Sequence, residues 1–205
     1  RIQEPMILWR EHLARAVRAL SRSGAAILGM NFILPDLQGL DSEGEMQLVQ
    51  SLLEARSLEV PVILSFRVRK GGIEPPSPLL SMAAGPEAFA YANLTTDPDD
   101  FVRRQELFAE DESGSRTPSL AWAVAEGYAG GNLSLPREER IMEINYRGPG
   151  TFREVPFWKL LRAADEEDEE FLRRNFADRI VLLGARLEGD LHPTPLYFFP
   201  RAQNG

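Results

Sequence analysis

The chain has 205 residues, 43% of them hydrophobic and 26% charged, which is the balance of an ordinary globular protein large enough to bury a core without covalent staples. It contains no cysteine, so disulfides and thiolate metal centres are excluded. A net charge of -8 and a pI near 5.0 repel phosphate backbones and argue against nucleic acid as a partner.

In chain order, Trp9, Leu13, Ala16, Val17 and Leu20 recur at helical spacing with charged residues between them. This amphipathic helix is expected to stop near Ser23-Gly24. The apolar run from Ala25 to Phe32 is long enough for a buried strand. A second helix is expected over Ser42–Arg56. Ser42 and Glu45 form its capping box, and Met46, Val49 and Leu53 its buried stripe. Val60 to Val68 is the next strand. Helix, strand, helix, strand points to crossover units and a parallel core sheet.

Lys70 to Pro86 is rich in glycine, proline and serine and reads as a long exposed loop. Ala88–Leu94 and Phe101–Phe108 flank a polar spacer and are expected to pair as an antiparallel hairpin. Asp111–Arg116 is a turn. Thr117-Pro118 is expected to open a helix through Glu126. A strand over Ile141–Tyr146, a short helix over Pro156–Arg162 and a last strand over Arg179–Ala185 follow. The expected fold is α/β, one domain spanning 1–205. Its sheet is mixed and mainly parallel, flanked by helices, with one antiparallel hairpin.

Chemistry-bearing motifs are sparse. No GxSxG, Walker loop, GxGxxG or HExxH is present. The acidic run Asp165–Glu170 has the pattern of a helix N-terminus better than that of a cation site. Asp97, Asp99 and Asp100 lack the glycine and distal glutamate of a calcium loop. His12 reads as a helix-flank residue. His192 lies beside Asp190 in a loop, a pairing that keeps a hydrolase open as a rival reading. Gly184–Gly189 follows a strand but lacks the lysine of a phosphate loop. Arg103-Arg104 and Arg147 could clamp an anion or pair with neighbouring acids. No catalytic residue, metal ligand or cofactor is assigned.

One ordered series carries more. It runs from Ile144-Asn145-Tyr146-Arg147-Gly148-Pro149-Gly150 through Pro156–Leu161 and Phe176–Gly184 to Asp190-Leu191-His192-Pro193-Thr194-Pro195-Leu196. This series resembles the second type of CHASE domain, the sensory domain associated with cyclases and histidine kinases. Trp9-Arg10, Gly24-Ala25 with Asn31-Phe32, and Asn93-Leu94 with Asp100 to Arg104 extend the resemblance upstream. Asn31 stands where the family usually has aspartate, and Phe101 where it has a glycine region.

The resemblance implies an extracytoplasmic input domain of a bacterial membrane receptor, with its opening strand and flanking membrane helices outside this chain. It implies a homodimer and a cyclase or kinase output domain. If a small ligand or ion binds, Asn145, Arg147, Asp190 and Thr194 are the first candidates for its contacts, with Arg103 and Asn31 behind them. A ligand-free structural or dimerisation module is the other rival.

Overall fold

A computed structural model describes residues 5–69, 72–110, 114–133, 140–148, 150–185 and 192–196; for residues 69 and 72–74 it describes the backbone alone. A 3-10 turn, Met6–Leu8, leads into α1 (Arg10–Arg22), then β1 (Ile27–Asn31), α2 (Ser42–Ser57) and β2 (Val62–Arg69). After β3 (Gly72–Glu74) come α3 (Pro78–Ala84), β4 (Phe89–Tyr91), β5 (Arg104–Glu106), β6 (Phe108–Glu110) and β7 (Arg116–Pro118). The remaining elements are α4 (Leu120–Tyr128), β8 (Ile141–Glu143), α5 (Phe157–Asp165), α6 (Glu169–Phe176) and β9 (Ile180–Gly184).

The main sheet is parallel in the order β9-β1-β2-β4. Its register sets Leu28 against Val62 and Val181, and Leu64 against Phe89. β3 folds back antiparallel on the end of β2. Successive side chains of a strand point to opposite faces, and the burial follows. Leu28, Met30, Val62 and Leu64 pack into one core with α1, α2, α3, α5 and α6. Ile27 and Ile63 pack on the other face against Ala123 and Val124 of α4. Gly29 lies under α4, where a β-carbon would come within 2.8 Å of Val124 and Leu182.

The buried positions of α1 and α2 include small residues: Ala14, Ala16, Gly44, Ser51 and Ala55. Glu54 of α2 accepts hydrogen bonds from both Arg18 and Arg22 of α1, at 3.1 and 2.6 Å. Arg10, the first residue of α1, is 1% exposed. It donates to the carbonyl of Ile7 at 2.8 Å and to that of Pro35. Burial lowers its pKa, and the nearby carboxylates of Glu45, Asp41 and Asp36 oppose the shift.

The α/β class and the mixed, mainly parallel sheet are as expected; several local readings are corrected. α2 is capped by Asp41, whose carboxylate accepts the Gly44 N–H at 3.3 Å. Glu45 instead accepts the Ser77 hydroxyl. The buried stripe of α2 is Leu48, Leu52 and Ala55, while Met46 and Leu53 are about half exposed. The segment read as a long loop holds β3 and α3; Ser77 caps α3, and Pro78 sits at its first position, where no N–H partner is needed. β4 pairs with β2 and makes no hairpin with the following segment: β5 pairs with β8, and β6 with β7. Thr117-Pro118 belongs to β7, and α4 starts at Leu120 on a Ser119 cap. The strand expected over Ile141–Tyr146 is shorter, ending at Glu143. The turn read at Asp111–Arg116 lies partly outside the described residues.

Candidate functional site

Residues 97–104 build an ion-pair cluster. The turn is closed by Asp97 N–H to the Phe101 carbonyl at 2.8 Å and by Asp100 N–H to the Asp97 carbonyl at 2.9 Å. Arg103 donates to Asp97 at 2.7 Å and to both oxygens of Asp99 at 2.8 Å; Arg104 takes the other Asp97 oxygen at 2.7 Å. The Arg103 guanidinium also lies 4.6 Å from the centre of the Phe101 ring. Hydrogen bonds from Arg103 pull the Asp99 carboxyl down to about 2, and those from Arg103 and Arg104 lower Asp97. The pairing reading of Arg103-Arg104 therefore holds.

A depressed folded-state pKa stabilises above the unfolded value, and that contribution fades as pH falls toward the folded value. The turn should accordingly keep its contribution above about pH 4 and lose it between there and pH 2. Carboxyl NMR titration should place Asp99 near 2, and Arg103→Ala should return it to the ordinary carboxylate range. An unchanged Asp99 midpoint in that variant would rule the pairing out.

The strand next to this turn is stitched to three other segments. Val102 N–H donates to the Pro193 carbonyl at 2.9 Å, and the Tyr146 hydroxyl donates to the Val102 carbonyl at 2.8 Å. Ile144 N–H donates to the Arg103 carbonyl at 2.9 Å. The Gln105 amide donates to the Asn93 carbonyl at 3.1 Å, and the Asn93 side chain bonds both backbone groups of Val68 at 2.8 Å. Tyr91 reaches the Glu106 carbonyl, and burial pushes its phenol up to about 12. Segments that the sequence only set in order are thus joined in space.

A family comparison decides what they belong to. The CHASE2 domain model matches residues 2–203. The chain is a CHASE2 domain. CHASE2 is a sensory, non-catalytic domain family, typical of the extracellular part of membrane receptors. No curated protein and no solved structure matches the chain.

Within this CHASE2 domain, Arg103, Asn145, Arg147 and Thr194 lie on the adjoining segments just described. Asn145 and Arg147 are exposed, and Thr194 is half-buried. The Arg103 guanidinium is engaged by Asp97 and Asp99. Asn31 stands at the end of β1, paired in register with Gly184. Asp190 lies outside the described residues, so its pairing with His192 does too, as does most of Gly184–Gly189. Gly148 and Gly150 take positive φ values of 86° and 75°, a turn conformation that glycine adopts without strain. Asp168 caps α6 by accepting the Phe171 N–H at 2.9 Å, so part of the acidic run serves a helix start. No group of three or more metal-ligating side chains occurs among the described residues. No described helix is long and apolar enough to cross a membrane.

One concave feature was not foreseen from the sequence. A cleft of about 460 Å³ opens between α3, β4 and β7. Phe66 and Phe89 line it together with prolines 75, 76, 86 and 118. Ser81, Glu87, Arg116 and Thr117 supply its polar groups. The sequence signal for it is the proline-rich composition of 70–86, which has the pattern of a loop.

Proposed function

We propose that this CHASE2 domain is the extracytoplasmic input of a bacterial transmembrane receptor. The observation that carries the reading is the family match across residues 2–203. A stimulus would shift the balance between two arrangements of the domain by binding them unequally. Membrane helices beyond this chain would pass the shift to a cyclase or kinase output, and a homodimer would bring two output domains together. In this reading the turn at 97–104 and its bonds to Ile144, Tyr146 and Pro193 act as a clasp. Among the motif residues, Asn145 and Arg147 keep exposed side chains available to a ligand.

The test is protease protection of the full-length parent protein carrying a C-terminal tag. Protease added to intact spheroplasts should remove the CHASE2 domain and spare the tagged output domain. A CHASE2 domain degraded only after lysis would overturn the placement.

A further inference from the structure

The cleft between α3 and β7 is an open groove with a mixed apolar and charged lining. Its volume, about 460 Å³, lies within the range of small-molecule sites, roughly 300–1,000 Å³. Proline rings fix the backbone φ, so four proline walls need little ordering when something enters. Phe66 is 5% exposed and Phe89 is half-buried, and both line the cleft. Aromatic faces of this kind take apolar chains or other rings.

The polar lining is uncommitted. Arg18, Arg22, Arg103, Arg104, Arg162 and Arg173 are all paired with carboxylates. Arg116, although it lines the same cleft as Glu87, forms no ion pair with it, and both side chains are exposed. One cation and one anion therefore stand in the cleft without neutralising each other. The hydroxyls of Ser81 and Thr117 add two groups able both to donate and to accept hydrogen bonds.

We propose that this cleft binds a small zwitterion with an apolar body, of the size of an apolar amino acid or a dipeptide. The carboxylate of the ligand meets Arg116, its ammonium group meets Glu87, and its apolar part lies on Phe89 and the prolines. The proposal rests on the sensory reading for its meaning, and it gives that sensor a ligand class and a site apart from Asn145 and Arg147. The position suits signalling. Ser77, which caps α3, bonds Glu45 of α2, and Glu54 of α2 holds Arg18 and Arg22 of α1. On the other wall, β7 runs directly into the Ser119 cap of α4.

The experiment is calorimetric titration of the 205-residue chain with L-phenylalanine, L-leucine, L-proline and the dipeptide prolyl-phenylalanine. Phenethylamine and 3-phenylpropanoate, each lacking one charge, are the comparators. At least one zwitterion should bind saturably, and at least about tenfold more tightly than either comparator, the value of one charge-assisted hydrogen bond. Arg116→Gln should weaken the zwitterion about tenfold and leave phenethylamine unchanged. Glu87→Gln should weaken the zwitterion similarly and leave 3-phenylpropanoate unchanged. Both positions are exposed, so an unaltered melting curve checks that the variants fold. If no zwitterion binds, or both variants bind like the parent, the assignment is overturned. That failure leaves the receptor reading intact, because protease protection tests it separately.

Discussion

Leu64→Ala should lower the unfolding free energy by about 3 kcal/mol and the melting midpoint by about 9 °C. Leu64 is fully buried in β2, with β1 on one side and β4 on the other. It stands opposite Met30 and Phe89 and points into the larger of the two cores. Truncation removes three carbons from a site held on both sides by strands, so the backbone has little freedom to collapse into the void. The cavity term therefore adds to the lost transfer energy. Met82→Ala is the control, because Met82 is 78% exposed and its removal should change stability by less than about 0.5 kcal/mol. A loss at Leu64 no larger than the loss at Met82 would contradict the central position of β2.

The second large effect is expected at Arg10, where opposing terms must be weighed. Arg10 is buried, its guanidinium faces two carbonyls, and its Nε has no partner. Burying that charge costs energy, and the same burial lowers its pKa. Replacement by alanine removes the cost, but it also removes two charge-assisted bonds worth about 1.5–3 kcal/mol each. It takes away the packing of the aliphatic stem as well. The losses exceed the gain, and Arg10→Ala should destabilise by about 3 kcal/mol in urea unfolding. Arg10→Met restores the stem without the charge and should recover roughly half of that. A methionine variant as stable as the parent would show that the guanidinium contributes nothing net.

The parallel core was legible because its strands are short apolar runs set between amphipathic helices. Ile27–Asn31, Val62–Phe66 and Ile180–Gly184 all fall within the stretches read as strands. Pairing partners were less legible. The spacer at 95–100 has hairpin chemistry, yet it closes a turn on itself through Asp97 and Phe101, and β4 goes to β2 instead. α3 was hidden because Ser77 and Pro78, a helix cap and a first-turn proline, sit in a window whose composition reads as loop. The buried stripe of α2 is hard to read because its buried positions include Gly44, Ser51 and Ala55, which carry little hydropathy signal.

The motif region was legible as an order of segments, and its joints at Val102, Ile144 and Pro193 needed coordinates. The cleft was not legible at all. Its lining comes from β2, the 75–76 stretch, α3, the loop into β4, β4 itself and β7, and no local spacing links them.

β9 ends the main sheet, and among the described residues nothing pairs with its outer side. From Ile180 to Gly184 it carries no charge, and Leu182 is 67% exposed. An uncharged strand with free backbone groups on one side is a template for any other extended chain. In concentrated solution this rim is where clumping would start, and a lysine substituted for Leu182 is the first change to make when preparing the domain for crystals or spectroscopy.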